Sequence, residues 1–193
     1  MPQVIAETSP VFWTVYIVWF VSEQIRNRTH RPGSDAVVKN QGSLGAVIFA
    51  LFFGIGAAFV LASTFGAGTL EPQRPWLYVG IAFMLLGMLL RWQAVRTLGK
   101  FFTFDVAAHS DHVVIDTGPY TYIRHPSYTG AILTIFGIGL ALANWASIAV
   151  ILVTAFLGYG YRIKVEEEAL TERLGDAYRA YARRTHRLIP FIY

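Results

Sequence analysis

The chain has no cysteine among its 193 residues, which excludes disulfides, thiolate metal sites and a cysteine nucleophile. Charge is scarce too. Asp, Glu, Lys and Arg make up 15% of the residues against 54% hydrophobic, and the mean hydropathy is +0.45. Those proportions exclude an ordinary soluble domain. No Gly-x-Gly-x-x-Gly segment occurs after a strand, and the apolar runs leave no room for a Rossmann unit. No internal repeat stands out, and the apolar runs are too long and numerous for a cleavable targeting segment.

What is present is a series of apolar runs cut by short polar stretches. Membrane spans are expected at about residues 5–22, 43–65, 76–98, 126–143 and 146–163. The first is aromatic-rich, and the polar residues 23–42 after it, with a Pro32-Gly33 turn, read as a loop. The third run is expected to continue as helix through Arg91-Trp92-Gln93 to about Leu98, emerging from lipid on the way. From Thr129 to Tyr161 no residue is charged. One helix of that length would reach about 50 Å against a hydrocarbon core of about 30 Å. A hairpin of two helices turning at Asn144-Trp145 is therefore expected. Lys164 to about Arg184 repeats Leu170, Leu174, Tyr178 and Tyr181 at helical spacing among charges, the pattern of an amphipathic helix.

The positions of the charges fix an orientation. With five spans and the N-terminus outside, every Lys and Arg except Arg74 lies on the cytoplasmic side. The formal charge of +4 then faces anionic lipid, and nucleic acid is not expected as a partner. The fold class expected is all-α and polytopic: five membrane helices, a cytoplasmic loop over 99–125 and a C-terminal amphipathic helix. A 27-residue connection (99–125) is long enough to suspect function, and Val113-Val114-Ile115 within it reads as a short extended segment.

The polar chemistry concentrates where that loop enters the fourth span. Proline suits the first turn of a helix, so Pro126 reads as a helix start with Arg124 and His125 at its mouth. Free N–H groups beside two donor side chains suit an anion. Beyond the fifth span lie Glu166, Glu167 and Glu168, and Arg162 stands four residues before Glu166, close enough to pair on one helix face. Gly130, Gly137, Gly139, Gly158 and Gly160 allow close helix approach, whether for tight packing or beside a lipid tunnel.

The block Arg124-His-Pro-Ser-Tyr-Thr-Gly130, followed by Glu166-Glu167 and Leu170, resembles the isoprenylcysteine carboxyl methyltransferase family of integral-membrane enzymes. The resemblance covers roughly residues 95–190 and implies an S-adenosyl-methionine-dependent methyltransferase with S-adenosyl-homocysteine as product. It implies cofactor contacts from His112, Val113, Val114, Ile115, Tyr120, His125, Pro126, Ser127, Tyr128 and Glu167. It also implies Arg162 at the substrate carboxylate, and Glu167, or Glu166, as an active-site carboxylate. Lys100 and His109 share the loop. Gly175, Tyr178, Tyr181 and Arg187-Leu-Ile-Pro190 resemble the family's closing helix. The implied substrate is a prenylated cysteine carboxylate or a similar amphipathic lipid met at the bilayer, with no metal. Phospholipid or small-molecule N- or S-methyltransferases, a sterol-reductase-like NADPH enzyme and a non-enzymatic membrane scaffold are the alternatives.

Overall fold

A computed structural model describes residues 10–29, 37–38, 42–102, 107–108 and 113–189. Six α-helices run through them in chain order. These are α1 Pro10–Thr29, α2 Ser43–Thr64, α3 Gln73–Leu98, α4 Pro126–Ala141, α5 Trp145–Leu174 and α6 Asp176–Arg184. A two-residue antiparallel pair joins β1 Val37–Val38 to β2 Ala107–Ala108, so the segments after α1 and α3 meet. Among the described residues α2, α3 and α5 are long and apolar enough to cross a membrane, and α4 is apolar but only 16 residues long. Residues 5–9 of the first expected span, the Pro32-Gly33 turn, His109, His112 and residues 190–193 lie outside the described residues.

The expected helix starts of the second half are met. Pro126 is the first residue of α4 and His125 its N-cap. Asn144 caps α5, its Oδ1 accepting from the N–H groups of Ala146 (3.0 Å) and Ser147 (3.1 Å). Its Nδ2 donates to the Phe65 carbonyl at 3.0 Å, which ties the α4–α5 turn to the end of α2.

Two expectations need correction. Residues 23–29 are the last two turns of α1, where a loop was expected. Glu, Gln and Arg are good helix formers, so polarity there marks a change of surroundings and not a helix end. The same holds for α5, which continues unbroken past residue 163 to Leu174. The expected amphipathic helix over 164–184 is therefore two pieces, parted at Gly175, whose φ of +55° closes α5. Residues 113–115 belong to no strand, and the short pairing lies at Ala107–Ala108.

The most extensive packing is α3 on α4, then α2 on α5. A Cβ on Gly80 would stand 2.5 Å from the Gly137 carbonyl oxygen, and one on Gly137 equally close to Gly80. Gly87 and Gly130 repeat that reciprocal contact two turns along, at 2.5 and 2.6 Å. The two backbones therefore touch, with Met84 fully buried between the contacts. Gly130 and Gly137 thus serve tight packing, with partners on α3. Large apolar side chains such as Phe49, Leu86 and Leu157 point outward, the distribution expected against lipid rather than water. Because a Cβ has nowhere to go at these contacts, Gly80→Leu is expected to destabilise by about 1–3 kcal/mol. Gly45→Leu, on an open face with no heavy atom within 4 Å, is expected to be tolerated. Thermal unfolding of both variants in detergent checks this.

Candidate functional site

The start of α4 is braced by the end of the chain. Arg124 N–H donates to the His186 carbonyl (2.7 Å), His186 N–H to Tyr122 (3.0 Å) and His125 N–H to Arg187 (3.0 Å). Thr129 Oγ1 adds a bond to the Leu188 carbonyl at 2.8 Å. Tyr181 donates its hydroxyl to the Tyr120 carbonyl at 2.7 Å, which locks α6 over the Gly118–Thr121 turn. Burial raises both of these phenols, Tyr181 to about 12, so they stay protonated donors at neutral pH.

Inside this brace lies an ionic cluster centred on Glu167. Its Oε1 accepts from Arg124 Nε at 2.9 Å and lies 3.4 Å from His125 Nε2. Its Oε2 accepts from Arg187 Nε at 3.0 Å. The anion that meets the helix mouth is thus the chain's own carboxylate. Arg124 is held further by the carbonyls of Ala182 (2.9 Å) and Thr185.

Glu166, one residue earlier, has a different setting. Its Oε2 accepts the Tyr128 hydroxyl at 2.5 Å and lies 3.8 Å from His125 Nδ1. The Tyr128 oxygen in turn accepts from Arg162 Nε at 3.1 Å, and Arg162 Nη1 donates to Ser43 Oγ at 3.1 Å. Arg162 and Glu166 therefore converge on one phenol. The ring of Tyr128 lies parallel to that of His125, with centroids 5.4 Å apart and an interplanar angle of 9°. Arg162 and His125 are each only 4% exposed.

Tyr128 and Arg162 also line a cavity of about 530 Å³ whose walls come from α1, α2, α3, α4 and α5. Tyr16, Trp19, Leu51, Ile55 and Phe59 give it apolar walls, while Glu23, Arg91, Tyr128 and Arg162 make its polar portion. An apolar trough with a few convergent polar groups suits an amphipathic ligand.

Of the residues expected at the site, Arg162, Tyr128, His125, Glu166 and Glu167 are joined in one network. Pro126 and Ser127 are buried behind it, and Tyr120 is buried under α6. Val113 is 54% exposed, and Val114 and Ile115 are partly buried. His112 and His109 lie outside the described residues, and of Lys100 only the backbone is described.

Sequence reasoning missed Glu23 and Arg91. Arg91, expected where α3 leaves the lipid, is 5% exposed. Its Nε and Nη2 each donate to the Glu23 carboxylate at 2.7 Å, and Nη1 reaches the carbonyl (3.0 Å) and Oγ (2.9 Å) of Ser127. An ionisable residue within an apolar run was the available signal. Its partner, Glu23, was hidden by being assigned to a loop.

The two neighbouring glutamates should separate on substitution. Glu167→Gln removes the charge that holds Arg124 and Arg187, so a stability loss of about 2 kcal/mol and faster proteolysis around residues 185–188 are expected. Glu166→Gln should cost less than half of that. Thermal melts and limited proteolysis read both.

Residues 80–172 match the isoprenylcysteine carboxyl methyltransferase (ICMT) family. Protein-S-isoprenylcysteine O-methyltransferase of Schizosaccharomyces pombe is 32% identical over 114 residues, 58% of this chain and 48% of that protein. A probable protein-S-isoprenylcysteine O-methyltransferase of Oryza sativa subsp. indica is 32% identical over 126 residues, 63% of this chain and 66% of that protein. A solved structure of the eukaryotic intramembrane Ras methyltransferase ICMT superposes with a TM-score of 0.64 at 29% identity, covering 75% of this chain and 52% of that one. The chain thus spans about half the length of some of the relatives it matches. The matched stretch, 93 of the 193 residues, contains the Arg-His-Pro block, both glutamates and Arg162, and through it the chain resembles the isoprenylcysteine carboxyl methyltransferase family.

Proposed function

We propose that the chain is an S-adenosyl-methionine-dependent methyltransferase that esterifies the carboxylate of a prenylated cysteine, or of a similar amphipathic acceptor, at the cytoplasmic membrane face. The observation that carries this reading is the position of Tyr128. One phenol borders the apolar cavity, bonds Arg162 and Glu166, and stacks on His125. An acceptor whose chain lies in the cavity has its polar end beside Arg162, and the cofactor's groups belong on the His125 and Glu166 side.

The residues present suit that cofactor. The Tyr178 hydroxyl is buried, with no hydrogen-bond partner among the described residues, and the Glu166 and Glu167 carboxylates act on it electrostatically. Burial, aided by those charges, raises its pKa, so it is a donor in want of an acceptor. Glu166 offers a carboxylate to an ammonium group. His125, Tyr120, Glu166, Glu167 and Tyr178 would hold the cofactor, together with the 112–115 segment that the family resemblance implies. When bound, it supplies a methyl group on a cationic sulfur.

The chain's own contribution is positioning and exclusion of water. A carboxylate acceptor is ionised above about pH 5 and needs no general base. Arg162 neutralises and orients it, and its guanidinium is itself oriented by Ser43 and Tyr128. The apolar walls keep the reacting oxygen poorly hydrated. An amine acceptor is the second reading, favoured by one contact: Glu166, on the Tyr128 hydroxyl, is a carboxylate placed to take a proton.

The two readings part in one experiment. In single-turnover methyl transfer from pH 6 to 9, a prenylcysteine should react at a rate nearly independent of pH. Arg162→Lys should lose about tenfold to a hundredfold in rate, a charged hydrogen bond being worth roughly 1.5–3 kcal/mol, while S-adenosyl-homocysteine affinity stays within a few-fold. A steep rise with pH and an unimpaired Lys variant would put the amine reading first.

Five spans with an outside N-terminus accompany this proposal. The support is the partition of basic residues, with Arg74, in the first turn of α3, alone on the other side. At 16 residues α4 extends only about 24 Å, so it spans with its polar mouth drawn into the interface. In the cysteine-free chain, Glu71→Cys and Ala177→Cys should label from opposite sides of intact vesicles. Labelling from one side would remove the shared face on which the site depends.

A further inference from the structure

The cavity beside α2 runs along that helix. Its lining residues recur at helical spacing from Leu44 through Val47, Leu51 and Ile55 to Phe59. That stripe is about 22 Å long at 1.5 Å per residue. Its near end lies beside Ser43, which holds Arg162. Its far end is stopped by aromatic rings: Tyr16 stands edge-on to Phe59 at 6.4 Å, and Trp13 stacks on Phe59 at 5.9 Å. One turn short of the stop sits Gly56. It is the one lining residue of α2 without a side chain, and no heavy atom lies within 4 Å of where its Cβ would stand.

We propose that Gly56 sets the length of the apolar chain that the cavity accepts, by leaving space at the far end for the last isoprene unit ahead of the Tyr16–Phe59 stop. The proposal rests on the methyltransferase reading for the identity of the occupant, a polyisoprenoid thioether with its carboxylate at Arg162. The head is held at one fixed point and the tail meets a fixed wall, so the distance between them selects among chains. A branched side chain at position 56 would occupy the terminal unit's place without touching Arg162, Tyr128 or the glutamates.

The test uses the full chain in lipid nanodiscs and N-acetyl-S-geranyl-, S-farnesyl- and S-geranylgeranyl-cysteine. Binding is followed by tryptophan fluorescence and methyl transfer is measured separately. Gly56→Leu should weaken binding of the longest chain that wild type accepts by about tenfold or more relative to the shortest, as expected when a hydrophobic pocket loses room for a few carbons. Gly56→Ala should give a smaller shift in the same direction. Gly45→Leu, on the same helix but away from the cavity, should leave the order of chain lengths intact. Equal wild-type affinity for all three chains, an unchanged order in Gly56→Leu, or an equal loss for every chain overturns the proposal. Graded binding that Gly56→Leu truncates, without methyl transfer in wild type, would uphold the length gauge and reject the reaction. Methyl transfer with an unaltered chain preference in Gly56→Leu would do the reverse.

Discussion

A guanidinium drawn out of water is tolerated only where oxygen acceptors meet it, and most of the site follows from that constraint. Arg91 is met by Glu23 and Ser127, and the bonds pin α1 to α3 and to the first turn of α4. Arg124 is met by Glu167 and by carbonyls of the C-terminal segment. Arg162 is met by Ser43 and Tyr128. Each arginine thus joins elements distant in the chain, and together they link α1, α2, α3, α4, α5 and residues 182–185.

Local signals in the sequence were the legible ones. Pro126 and Asn144 announce helix starts because a missing N–H and a capping amide act within one turn. Hydropathy found the apolar cores of α2 and α3 and the hairpin of α4 and α5. It did not find where α1 and α5 end, because both helices continue as polar residues once their surroundings change. The family motif brought Arg162, Tyr128, His125 and both glutamates forward. What it left out was their division of labour. Glu167 is committed to Arg124, Arg187 and His125, whereas Glu166 faces the phenol. That difference depends on which side of α5 each residue occupies relative to α4 and the C-terminal segment, and spacing along one chain does not carry it.

The glycines illustrate the same limit from the side of packing. Gly130 and Gly137 were visible as places where a helix can approach, but the partner was not. It is the pair Gly80 and Gly87, repeating at the same interval of seven on the antiparallel α3. Seven residues is nearly two helical turns, so both contacts fall on one face and the backbones stay in touch between them. Gly158 packs similarly, close to Val47 and Ala50 of α2, whereas Gly160 meets nothing within 4 Å. Small residues in membrane helices therefore mark candidate contacts, and only the facing helix decides which of them is one.

Rigidity on one side of the bundle gives meaning to looseness on the other. The α3–α4 contact fixes the start of α4, and with it Tyr128, to a backbone that has no room to shift. By contrast, α1 packs on α3 far less extensively, and its Glu23–Arg91 bond lies at the polar portion of the cavity. The cavity therefore has a firm wall carrying Tyr128 and Arg162 and a looser wall of Trp19 and Phe20, while Tyr16 at its far end is held against Phe59 of α2. The proposed transfer from a soluble cofactor to a lipid acceptor would use that asymmetry. In that proposal the polar groups keep their geometry whichever chain is bound, while the apolar wall admits a long tail and lets it leave. Tyr128 stands on the firm side of that division, with one face toward the lipid cavity and its hydroxyl among the charges.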